Sequence, residues 1–159
     1  AMLIHLLDER DYLRLDDPVS KYIPEFDAHK KRWITLRHVL AHRAGLPSVP
    51  ARARAADLLT KPERILEILC DSPPESRAGR QVAYHAITGG FILGEVVRRV
   101  TGKSIRRLLD EELRRKLDFH WLRYGVVKRD VGKVARSYFT GPPPIPPLWP
   151  RASSGMRPC

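Results

Sequence analysis

Along most of this chain apolar residues recur three and four positions apart, the period of helices that turn one face to a core. Residues 2–13 read as an amphipathic helix with Met2, Leu3, Leu6, Leu7 and Tyr12 inward. No Ser, Thr, Asp or Asn precedes Ala1, so its first turns are expected upstream. Pro18 ends the pattern by removing a donor and restricting Asp17, which leaves Asp16 and Asp17 turn and cap roles rather than acid/base work. Residues 19–26, broken by Pro24, read as an irregular, partly extended connection. Thr35 caps a predicted helix over 36–42 with Leu36, Val39 and Leu40 inward, and Gly45-Leu46-Pro47 closes it. A weaker helix is predicted over 51–59. A clearer one begins at Pro62, with Ile65, Leu66, Ile68 and Leu69 on one side. After a loop over 71–80, helical spacing resumes at Phe91 and runs through Val96, Val97 and Val100 to a stop at Gly102. Ser104 caps the next helix, with Ile105, Leu108, Leu109, Leu113 and Leu117 on one side. Residues 130–137 read as a short helix, and the Pro-rich stretch from 141 as an extended or disordered tail. There is little strand signal and no internal repeat.

Composition narrows the class. With 159 residues, 43% hydrophobic and 30% charged, the chain can bury one core and is not a disordered segment. No basic leader is seen, and no apolar run reaches membrane-spanning length, so the compartment stays open. The formal charge of +11 raises nucleic acid as a partner. The basic residues, however, are scattered pairs with acids between them: Lys30-Lys31, Arg98-Arg99, Arg106-Arg107 and Arg114-Arg115-Lys116. That arrangement reads as a solvated face. A helix-turn-helix around Gly102 would carry Asp110, Glu111 and Glu112 toward phosphates, so no nucleic-acid partner is expected. Cys70 lies in an apolar helical pattern and reads as a buried free thiol, far from Cys159; no disulfide, metal or cofactor is indicated.

Candidate chemistry gathers where the chain enters the helix after Gly79. Tyr84 sits at that entrance, where a side chain either packs its ring with one hydrogen bond or projects into a cleft from a rigid base. His85 is its neighbour. His42 closes the 36–42 helix, a place where a histidine bonds the last carbonyls. Gly89-Gly90 and Gly94 follow no strand and lack a phosphate-loop lysine, so close helix packing is their expected role.

Three segments, in order, carry a resemblance: LRLDDPVSKYIPEF (13–26), ITLRHVLAHRAGLP (34–47) and AGRQVAYHAITGGFILGEVVRRVTGKSI (78–105), the last followed by LLDEELRRKLDF. Together they resemble the serine β-lactamase and penicillin-binding-protein-like family, which includes DD-peptidases and esterases. The resemblance covers residues 1–125. It implies a mainly helical chain: the helical lobe of an α+β fold, with most of the antiparallel sheet missing. Residues 126–140 would be a weakly specified continuation and 141–159 the tail.

In such enzymes a Ser-x-x-Lys serine attacks a carbonyl, with a lysine and a tyrosine sharing its proton, because a serine hydroxyl needs a nearby base. The resemblance makes Tyr84 the general-base candidate, with His85 and Ala86 candidates for lining the substrate cleft. A phenol with a free pKa of about 10 serves as a base only where positive charge favours its phenolate. This chain contains no Ser-x-x-Lys and no Lys-Thr-Gly or His-x-Gly after residue 125. Ala86 stands where lactamases and peptidases carry asparagine, so Tyr-His-Ala looks more like the esterase-type members. Ala44 replaces a common serine in a loop. The expectation is part of a serine hydrolase acting on an ester, less so a β-lactam or D-Ala peptide, and inactive alone. The alternative is a non-catalytic remnant of the fold, motivated by the composition of the tail.

Overall fold

The helix Thr88–Thr101 packs against four other helices, Val19–Tyr22, Leu36–Leu40, Pro62–Cys70 and Ile105–Leu109. Its Ile92, Val96 and Val97 are wholly buried, as their spacing predicts, and Gly102 ends it at φ +69°, a left-handed stop. The computed structural model describes residues 1–49, 61–85, 87–136 and 138. In chain order the α-helices are α1 (Met2–Glu9), α2 (Val19–Tyr22), α3 (Leu36–Leu40), α4 (Pro62–Cys70), α5 (Thr88–Thr101) and α6 (Ile105–Leu109). A 3-10 segment, Pro24–Trp33, lies between α2 and α3, a π-helical turn, Asp110–Arg114, comes after α6, and a 3-10 turn covers Lys128–Lys133. Among the described residues there is no strand, only an isolated bridge between Pro18 and Thr35. The expected mainly helical class is the one observed. The helix predicted over 51–59 and the tail over 141–159 lie outside the described residues. No described helix is long and apolar enough to cross a membrane.

Local chemistry places the helix starts. The Thr35 hydroxyl accepts the His38 N–H at 3.2 Å, and the His38 ring bonds back to the Thr35 N–H, a reciprocal cap on α3. The Ser104 hydroxyl accepts the Arg107 N–H at the start of α6. Cys70 is a buried free thiol, as its pattern predicts.

Several elements differ from expectation. α1 ends at Glu9, and Asp11 at φ +61° turns the chain away. Its buried face is Leu3, Ile4 and Leu7, while Met2 and Tyr12 are exposed. Residues 19–26 are helical rather than extended, because Pro24 occupies a first helical position, where its missing N–H costs nothing. Lys31, expected on a solvated face, is fully buried. Leu117 is exposed, since the wider π-helical turn rotates the residues after it away from the core. Gly90 is not a packing glycine: a methyl there would meet nothing within 4 Å, and at Gly89 and Gly94 only ordinary contacts.

Ion pairs fasten the helices. Arg99 on α5 reaches both Glu95 and Glu25, tying α5 to the 3-10 segment. Arg10 pairs with Glu112 at 2.9 Å, tying the end of α1 to the π-helical turn. Arg10 and Lys116 hold the Glu112 carboxyl down to about 2. The acids set between the basic pairs are thus their partners: Glu111 binds Lys103 and Arg107, and Asp110 binds Arg114 and Arg115.

Asp16 and Asp17 hold the turn, as expected. Asp16 pairs with Arg37, and Asp17 receives the Arg14 N–H, Lys21 and the Tyr22 hydroxyl, the last at 2.5 Å. Burial and that carboxylate push the Tyr22 phenol up to about 12 from 10.0. The native phenol therefore keeps its proton where the unfolded one loses it. Its stabilisation is complete below pH 10 and is lost as pH rises toward 12. In urea titrations at stepped pH, Tyr22→Phe should lose stability across this window more slowly than the parent chain. Parallel profiles would count against the assignment.

Candidate active site

Residues 42–48 lie beside residues 75–85 and hold them through backbone bonds. The Gly45 carbonyl accepts the Glu75 N–H at 2.8 Å, the Arg43 carbonyl the Gly79 N–H at 2.9 Å, and the His42 carbonyl the Ala83 N–H at 3.0 Å. The Arg43 guanidinium returns a bond to the Gly79 carbonyl. Two residues at positive φ, Gly45 at +74° and Gly79 at +81°, let the backbones run this close.

On this support the side chains from 82 to 85 alternate. Tyr84 points out, 74% exposed, with Val82 and Ile87 exposed beside it. His85 points in, 2% exposed. Its Nε2 accepts the Leu46 N–H at 3.0 Å, so its proton is on Nδ1, which donates to the Ala83 carbonyl. Burial, with the neighbouring His42, pushes the His85 imidazolium below the usual histidine value, against the pull of that carbonyl. His85 is a neutral strut beneath Tyr84, with both ring nitrogens engaged inside the fold, rather than a surface group beside it. Ala86, the other cleft candidate, lies outside the described residues.

The His42 backbone N–H bonds the Val39 carbonyl in the last turn of α3 at 3.2 Å, as a residue closing that helix should, but its ring is engaged elsewhere. Its Nδ1 accepts the His85 N–H at 3.1 Å, and its ring meets the Tyr84 ring edge-on, centroids 4.9 Å apart. Thr88, unremarked in the sequence, is wholly buried and donates to the Leu46 carbonyl at 2.5 Å. Leu46 thus gives its N–H to His85 and its carbonyl to Thr88. Ala44, buried at 0% exposure, packs in the main core. Among the described residues no cluster of three or more His, Cys, Asp or Glu could hold a metal ion.

A family model described as β-lactamase matches residues 1–158, and the chain belongs to that family. It is 38% identical over 127 residues to the esterase/β-lactamase LipL of Mycobacterium tuberculosis, which covers 79% of this chain and 28% of LipL. A penicillin-binding-protein homologue from Caulobacter crescentus matches in structure with a TM-score of 0.69 at 29% identity, over 74% of this chain and 31% of that one. A family VIII carboxylesterase matches with a TM-score of 0.65 at 33% identity, over 69% of this chain and 30% of that one. The chain spans less than a third of the length of each of these relatives.

Proposed function

We propose that this chain supplies the helical lobe and the general base of a serine esterase that works through an acyl-enzyme. The observation that carries the reading is the outward Tyr84, braced from below by His85 and from the side by His42. The esterase names among the similar proteins favour an ester over a lactam, as does Ala86 in place of asparagine. Tyr84 would take the proton of a serine hydroxyl as it attacks the ester carbonyl, then return it to the leaving alcohol. The serine and its lysine would come from a segment outside these 159 residues. The exposed apolar strip of Val82, Tyr84 and Ile87 suits a surface that another lobe or a substrate covers.

Because the sequence holds no Ser-x-x-Lys, the isolated chain is expected to show no turnover of a nitrophenyl ester above buffer. Turnover that Tyr84→Phe abolishes would overturn that expectation. Joined to a segment bearing Ser-x-x-Lys, the protein should gain activity, and Tyr84→Phe should then lower kcat by about 10²- to 10⁴-fold, the range of a lost general base. An unchanged kcat would remove Tyr84 from the chemistry.

A further inference from the structure

Tyr84 is exposed, yet a base must hold its oxygen steady within hydrogen-bond reach of the group it serves. Something must fix its peptide from the side away from solvent. In an extended stretch the N–H groups of the two residues flanking a given residue point to the same side. Here the N–H groups of Ala83 and His85, on either side of Tyr84, both point at one residue. The His42 carbonyl takes the first at 3.0 Å and the His42 Nδ1 takes the second at 3.1 Å. The same imidazole meets the Tyr84 ring at 63°. His42 stands at φ +58°, a conformation that non-glycine residues adopt at a cost and that histidine and asparagine tolerate better than most.

We propose that His42 is the positioning residue for Tyr84: one residue, through its backbone and its side chain, holds the N–H groups of both flanking residues and bears on the phenol ring. The proposal rests on the reading of Tyr84 as the base, but concerns where Tyr84 is held. It also fixes a tautomer. Nδ1 accepts a hydrogen bond only when it carries no proton, so His42 is neutral with its hydrogen on Nε2, the opposite tautomer to His85. The two rings lie 5.9 Å apart, one holding the peptide after Tyr84 and the other anchoring that segment to Leu46.

Nitrogen-15 NMR of the intact chain tests the clamp without any substitution. The expected spectrum shows His42 protonated at Nε2 and bare at Nδ1; a proton on Nδ1 overturns the proposal. Amide hydrogen exchange then tests position. His42→Ala should raise exchange at His85 by about tenfold, the loss of one hydrogen bond, while the α5 amides of Val96 and Val97 stay protected. It should also move the Tyr84 ring resonances, which lose the neighbouring imidazole. His42→Asn keeps both the tolerance for positive φ and an acceptor near the Nδ1 position. It should restore His85 protection but not the Tyr84 ring shifts. If His42→Ala unfolds the chain, His42→Asn decides: protection lost at His85 with α5 intact overturns the clamp. These readouts record where Tyr84 sits and not whether it moves a proton, so the clamp and the base role can fail separately.

Discussion

Lys31→Ala should lower the stability of the chain by about 3–5 kcal/mol in urea titration, through lost packing of the buried stem together with two carbonyls left without a donor. Lys31 is fully buried, and its ammonium donates to the Cys70 and Ser72 carbonyls, both at 2.7 Å, with the Phe26 ring 5.2 Å away. Cys70 ends α4, so its carbonyl is one of those a helix leaves without an internal partner, at the negative end of the helix dipole. A cation supplied from 39 residues earlier serves both that carbonyl and the turn beyond it. Burial pushes the ammonium below its ordinary 10.5, against weaker pulls from Cys70 and Asp71. The native state therefore sheds this proton before the unfolded chain does, and stability gains as pH rises between the two values. That trend opposes the Tyr22 effect, and comparing Tyr22→Phe with its parent cancels it. Lys31→Met separates packing from bonding: it keeps the apolar stem and removes the donors, and should cost about 2 kcal/mol, the penalty for two orphaned carbonyls. A Met variant as stable as the parent would show that the two hydrogen bonds carry nothing net.

Lys31 also marks where local sequence stops being informative. Within Lys30-Lys31-Arg32 nothing local distinguishes the buried lysine from its solvated neighbours. The left-handed pair His29 and Lys30, at φ +56° and +65°, kinks the 3-10 segment just before it. Its two carbonyl partners lie at the end of α4 and in the turn beyond it, 39 and 41 residues away. By contrast Thr35, Ser104 and Gly102 were legible, because a cap or a left-handed stop is settled within three or four residues. In α1 the apolar spacing and the inward Leu3 and Leu7 were legible, while Ile4 was missed. Met2 and Tyr12, also expected inward, are exposed, Tyr12 because the helix closes at Glu9, before it can join.

The site divides the same way. Tyr84 was singled out from its place at a helix entrance and from the resemblance of its stretch. The partition of labour between the two histidines was invisible, because it depends on a contact 43 residues apart. Adjacent residues in an extended stretch face opposite ways, so Tyr84 and His85 could not both look outward. The alternation was available in the sequence, while its phase was settled only by His42 and Leu46 packing on the inner side. Thr88 carried no signal beyond being a small polar residue at a helix start, and it became wholly buried through one bond to the Leu46 carbonyl.

Gly45→Ala should cost about 2–4 kcal/mol and disturb Tyr84 as well, since it combines backbone strain with overpacking against an atom that cannot move aside. At φ +74° an L side chain is strained whatever the space around it. Space is lacking too: a Cβ on Gly45 would lie 2.2 Å from the Ser76 carbonyl oxygen and 3.2 Å from its carbon. These are backbone atoms, so relief requires residues 75–79 to shift away from 43–46 as a unit. That shift would strain the Gly45–Glu75 and Arg43–Gly79 bonds and, through them, the ladder that ends at Ala83 beside Tyr84. Gly79→Ala is the control. Its φ is +81°, but its Cβ would meet only the His38 ring, at 3.4 Å, so about 1 kcal/mol of conformational strain is expected there. Thermal unfolding of both variants, with the Tyr84 ring resonances recorded beside it, separates strain from contact. If Gly45→Ala is no worse than Gly79→Ala and leaves the Tyr84 resonances in place, close approach at residue 45 is not what holds the tyrosine's support together. If it is worse and the resonances move, the position of Tyr84 is set by a glycine in a separate turn, far earlier in the chain.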